Sequence, residues 1–237
     1  HSGLSVATTN SSATATVTAC EKINQVLRMK REGEGTMAAR NQIEAALATL
    51  LAADSFKDYG PNGLQIEGAA QVHRIVSGVT ASLGLIDAAI ADGADAILVH
   101  HGLFWRGQDG RLVGWLGERV RRLMAHRINL FAYHLPLDAH AELGNNAQLG
   151  LRLGLVADTR FGAQQLGFAA AAGDNTSLAL LAARVQAALG GRPPLVRAAP
   201  HAHHVLVGRA ADRDLVARLH QLRRLGALRV HAHAPGL

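Results

Sequence analysis

The sequence predicts an α/β fold, a sheet flanked by helices, on three observations. The stretch Arg74-Ile-Val-Ser-Gly-Val-Thr80, a helical stripe from Leu83 and the apolar run Ala96-Ile-Leu-Val99 follow one another, within the roughly thirty residues of a right-handed βαβ unit. Ala96–Val99 is apolar without alternation, as in a central parallel strand buried on both faces. The 49% apolar content and 25 glycines of the 237 residues suit a sizeable core joined by many tight turns.

Residues 1–36 show no sustained period and read as a disordered or non-native leader, with Met37 as the natural start. Ile43, Leu47, Leu50 and Leu51 then form an amphipathic stripe. A polar loop from Asp54 to Gln65 follows, with Pro61-Asn62-Gly63 marking a tight turn. After the Arg74–Thr80 strand, Ser82 is the expected cap of a helix that buries Leu83, Ile86, Ala89 and Ile90 and stops at Gly93. A third helix should bury Leu112, Leu116, Val120, Leu123 and Met124, leaving Glu118, Arg119, Arg121 and Arg122 as a solvated face. Ile128–His134 reads as a strand, Leu135–His140 as a loop, and Asn145 or Asn146 as the cap of a helix through Leu153. A strand near Leu166–Ala172 and a helix near Leu178–Leu189 continue the alternation.

Composition narrows the function classes. The lone Cys20 rules out an internal disulfide, which fits a reducing compartment. No apolar run reaches the length of a membrane span, and the amino-terminal stretch lacks the apolar core of a signal peptide. A cytoplasmic protein with no membrane partner is expected. Net charge is +1 over residues 1–36, 0 over 37–196 and +5 over 197–237. The body is therefore neutral despite a pI near 10.4, and a nucleic-acid partner is not expected. Neither a P-loop nor a strand-associated Gly-x-Gly-x-x-Gly is present, and no nucleophile elbow.

The chemistry collects at strand ends. His100 and His101 close the central strand, and open α/β sheets keep their ligand crevice at that edge. Neighbouring strand side chains point to opposite faces. For both histidines to share a site the strand should stop at them, with Gly102 taking the turn. A histidine in this position is either a satisfied polar group or a metal ligand. A second strand end delivers His134, Asp138 and His140. Imidazole with carboxylate suits a divalent zinc, manganese, iron or nickel. His134 reads as an orienter of ligands rather than a ligand, and His140 as a solvent-exposed loop residue.

Four strings carry a family resemblance: Asp58-Tyr-Gly-Pro-Asn-Gly-Leu-Gln-Ile-Glu-Gly68, Gly78-Val-Thr-Ala-Ser82 with Leu85-Ile-Asp-Ala-Ala89, Ile97-Leu-Val-His-His-Gly-Leu-Phe-Trp105, and His134-Leu-Pro-Leu-Asp-Ala-His140 with Leu143-Gly-Asn-Asn-Ala147. Over residues 37–196 the chain resembles the GTP cyclohydrolase I type 2 homologues, or Nif-three-like dinuclear metal-centre proteins, in their short bacterial branch. The resemblance implies a Nif-three-like fold with a mixed sheet and two similar halves, assembled as a toroidal homo-hexamer. It also implies two divalent metal ions per chain, with His100, His101 and Asp138 as metal ligands. The implied activity is that of a metal-dependent hydrolase on a nucleotide-like small-molecule substrate. The alternative is a non-enzymatic metal-binding scaffold or partner-binding protein.

The family's remaining ligands, a His and a Glu four residues later near the C-terminus, have no counterpart, since no Glu follows Glu142. The metal site is therefore expected to be single or incomplete and the second half truncated or aberrant. Residues 197–237 hold seven Arg and six His but no Lys, Glu, Phe, Trp, Tyr, Ile or Met. They read as an atypical basic tail with the composition of a frame-shifted, GC-rich stretch. The rival reading is a genuine tail with His201, His203, His204, His231 and His233 as substitute ligands.

Overall fold

The computed structural model describes residues 38–171, 177–188, 195–197, 204–207 and 228–231. The expected leader, and the tail histidines as side chains, lie outside the described residues. The chain forms two compact units, one running to Leu137 and the other beginning at Asp138. Among the described residues no helix is long and apolar enough to cross a membrane.

The first unit opens with β1 (Ala38–Ala39), which pairs antiparallel with β3 (Gln71–Val72). Helix α1 (Arg40–Leu51) follows and buries Ile43, Leu47 and Leu51 of the predicted stripe, with Leu50 half-buried. Burying each such side chain contributes roughly 1.5–3 kcal/mol. Gln42 Oε1 accepts the Ala39 amide hydrogen at 3.1 Å at its start. Ala52 ends it in the left-handed region at φ 48°.

A four-stranded mixed sheet is the centre of this unit. Its order is β2 (Gly63–Ile66), β6 (Asn129–Ala132), β5 (Ala96–His101) and β4 (Ile75–Thr80). β4, β5 and β6 run parallel, and β2 closes the edge antiparallel to β6. Ile97, Val99, Leu130 and Ala132 join one core with helix residues Leu85, Ile86, Leu116 and Val120. Leu98 and Phe131, of opposite parity, are equally buried. The sheet is thus covered on both faces, which is why β5 reads as an unbroken apolar run.

Helix α2 (Leu83–Ala91) is capped as predicted, Ser82 Oγ accepting the Leu85 amide hydrogen at 3.2 Å. Gly93 follows at φ 65°, a conformation that favours glycine. Its buried stripe is Leu85, Ile86 and Ala89. Leu83, expected inside, is the first helical residue and stays on the surface. Helix α3 (Gly114–Ala125) begins two residues after the predicted stripe. It buries Leu116, Val120 and Leu123 but leaves Leu112 and Met124 exposed. Its arginine face is a paired surface: Arg122 reaches Glu118 at 2.8 Å and Asp87 at 2.6 Å.

The expected loop after β6 contains a short helix, α4 (Leu135–Ala139), which carries Asp138. In the second unit, α5 (Asn145–Arg152) is capped by Gly144 rather than by an asparagine. Both Asn145 and Asn146 are buried inside its first turn. A five-stranded sheet follows in the order β7 (Thr159–Phe161), β8 (Gly167–Ala171), β10 (His204–Val207), β11 (Leu228–His231) and β9 (Leu195–Arg197). Helix α6 (Leu178–Ala188) falls where the periodicity puts it. Two strands of this sheet, β10 and β11, lie within residues 197–237.

Candidate metal centre

The site grows from the end of β5. The strand includes both histidines and, as expected, stops at the pair, ending on His101. It pairs with β6 as far as Val99 and with β4 as far as His101. Each ring is steadied by the strand on its own side. His100 Nδ1 lies 3.3 Å from the Tyr133 carbonyl oxygen, just past β6. His101 Nδ1 lies 3.0 Å from Thr80 Oγ1, at the end of β4. The ring centroids are nevertheless only 4.4 Å apart. Gly102 is needed for room rather than for a turn: a Cβ there would sit 2.2 Å from Gln65 Oε1. That oxygen accepts the Leu103 amide hydrogen at 2.8 Å.

His134 completes the group. Its ring centroid lies 4.9 Å from that of His100 and 5.7 Å from that of His101. A ligand nitrogen from each of the three rings lies within 4.8 Å of the others. Among the described residues this is the one such group of three. A backbone carbonyl only accepts, so His100 Nδ1 carries the hydrogen and Nε2 holds the lone pair. Asp58, against His134 Nδ1 at 2.8 Å, orients that ring in the same sense. A carboxylate or carbonyl behind a ligating histidine is the usual way to fix its tautomer. Borderline divalent ions take imidazole nitrogen readily, so this donor set fits a first-row divalent metal.

Asp58 is the residue that the sequence reading missed. Its side chain is 1% exposed, and both oxygens are engaged. Oδ1 accepts from His134 and from the Tyr59 amide at 2.6 Å. Oδ2 accepts from Asn62 Nδ2 at 3.0 Å and the Leu135 amide at 2.8 Å. Asn62 in turn accepts the His134 amide hydrogen at 2.8 Å. Burial pushes the Asp58 carboxyl up, but His134, the Leu135 amide and Asn62 together outweigh it and hold the group below the ordinary carboxylate range. A lowered folded value means that its stabilisation is complete above the unfolded value of about 3.9. It is lost as pH falls from there through the folded value. Asp58→Asn should therefore cost about 1.5–3 kcal/mol at pH 7. It should also flatten the fall in stability below about pH 4, as read by urea unfolding across pH. An unchanged acid limb would contradict this.

Two aromatic side chains flank the imidazoles. Trp105 meets His134 edge-on at 5.0 Å and 89°, and His101 at 6.1 Å. Tyr59 stands 6.3 Å from His134. The Arg106 amide and guanidinium tie these loops together, bonding to the Tyr59 carbonyl at 2.6 Å and the Asp58 carbonyl at 2.8 Å. Gly60 lets them meet, since a Cβ there would lie 2.4 Å from the Phe104 carbonyl oxygen.

Asp138 belongs to the second unit, where it is buried and accepts a 2.8 Å hydrogen bond from Asn145 Nδ2. His140 is half-buried rather than an exposed loop residue. Its Nδ1 accepts from the Glu142 and Leu143 amides at 3.2 and 3.0 Å, closing the turn that leads into α5.

A sequence profile for DUF34/NIF3 (NGG1p interacting factor 3) matches residues 38–208, well over half of the chain. The chain belongs to the DUF34/NIF3 family. It is 56% identical over 117 residues to a GTP cyclohydrolase 1 type 2 homolog of Vibrio cholerae, covering 49% of this chain and 46% of that protein. It is 47% identical over 141 residues to that of Neisseria meningitidis serogroup B, covering 60% and 57%. The chain thus spans about half the length of these curated relatives. Among solved structures, the protein ybgI, described as of unknown function, aligns at TM-score 0.72 and 34% identity, covering 81% of this chain and 85% of that one. Reduced HcgD from Methanocaldococcus jannaschii shares the fold at TM-score 0.67 and 16% identity, covering 82% and 86%.

Proposed function

We propose that the chain binds a divalent metal ion through His100 and His101, with His134 held alongside by Asp58, that Asp138 is a metal ligand as the family resemblance implies, and that the loaded protein hydrolyses a nucleotide-like small molecule. The observation that carries the metal reading is the convergence of three imidazoles within 4.8 Å. The Nδ1 atoms of His100, His101 and His134 each have a partner behind the ring. A bound divalent ion supplies a Lewis acid that lowers the pKa of water. The protein's part is to hold His100 and His134 in one tautomer, to steady His101 through Thr80, and to wall one side with Trp105 and Tyr59. The nucleotide class is supported by the name of the relatives, GTP cyclohydrolase 1 type 2 homolog. A homo-hexamer and a cytoplasmic location belong to the same proposal.

Chromatography of nucleoside triphosphates incubated with metal-reconstituted protein tests the reaction. Product should form with the unaltered chain. In Asp138→Ala its rate should fall further than the roughly 10–100-fold that loss of a ligand's supporting partner costs. Tight metal binding without turnover would instead favour a metal-binding scaffold.

A further inference from the structure

We infer that Asn145 is a positioning residue for Asp138, locking the rotation of its carboxylate before any ion arrives. The inference rests on the reading of Asp138 as a metal ligand. The two side chains are 7% and 3% exposed, and Asn145 Nδ2 donates to Asp138 Oδ1 at 2.8 Å. Chain geometry makes this pairing possible: Asp138 sits on α4 and Asn145 opens α5 seven residues later, with the half-buried His140 bonding the amides of the turn between.

The orientation of the Asn145 amide follows from its partner. A carboxylate accepts only, so the NH2 group must face Asp138. Asn145 Oδ1 is then left buried with no donor among the described residues. An unmet buried acceptor costs free energy, and a side chain serving packing alone would gain by being apolar. Here the cost is accepted in return for a fixed carboxylate. The unmet oxygen is where a water or substrate donor would be received. With Oδ1 committed to Asn145, Asp138 meets an ion in one orientation.

Cobalt is the probe, because its visible band reports the coordination sphere. Co²⁺ affinity and the band at saturation would be measured for the unaltered chain, Asp138→Ala, Asn145→Leu and Asn145→Ala, with melting of the metal-free proteins alongside. Asn145→Leu preserves volume without the donor, and Asn145→Ala serves where Leu does not fold. The expected result is a roughly 10–100-fold weaker affinity in either Asn145 variant. A changed band at saturation should accompany it, which a purely structural role would leave alone. Asp138→Ala binding Co²⁺ as tightly as the unaltered chain overturns the reading of Asp138 as ligand. Asp138→Ala losing Co²⁺ while both Asn145 variants keep the original affinity and band overturns the role of Asn145 alone.

Discussion

Asn129→Ala should destabilise the first unit by about 3–5 kcal/mol, among the largest losses available to a single substitution here. Asn129 is fully buried at the start of β6. Its Nδ2 donates to the carbonyls of Ala69 and Asp95 at 2.8 and 3.0 Å, and its Oδ1 accepts the Gly68 amide hydrogen at 2.8 Å. One side chain therefore joins the turn after β2 to the entry of β5. Truncation leaves the half-buried Gly68 amide and Ala69 carbonyl without that partner, and an unmet group of this kind costs up to about 1–3 kcal/mol. Gly68 itself must stay a glycine, because the Arg127 carbonyl oxygen lies 2.2 Å from where a Cβ would be. Urea unfolding followed by circular dichroism measures the loss. Arg121→Ala, on the outer face of α3, should change stability by less than about 0.5 kcal/mol. A loss below about 1 kcal/mol in Asn129→Ala would show that water replaces the amide.

What the sequence reveals of this fold follows how local each cause is. β5 is legible because it is apolar on both faces, and the cap of α2 because Ser82 acts three residues away. His100 and His101 stand out because a pair of imidazoles at the end of such a run is rare in a merely solvated strand. Asp58 was hidden for the opposite reason. It lies in a polar loop whose turn residues account for themselves, and its partner His134 is 76 residues further on. Trp105 likewise gains its place by meeting His134 across a break in sequence. β2 reads as loop in the sequence because Gly63-Leu-Gln-Ile66 is short and follows Pro61-Asn62. Its strand state comes from pairing with β6. α4, five residues long, is too short to show a period. The outward turn of Leu112 and Met124 depends on where α3 begins, which a stripe of apolar residues fixes poorly.

The central claim is that His100 and His101 hold a divalent metal. Elemental analysis of the chain after reconstitution with zinc or manganese tests it most directly, set against His100→Ala/His101→Ala prepared alike. Up to about one first-row ion per unaltered chain is expected, with a loss of more than tenfold in the double variant. Apo melting of the two proteins should confirm that both are folded when loaded. No ion on the unaltered chain, or equal amounts on both, would contradict it.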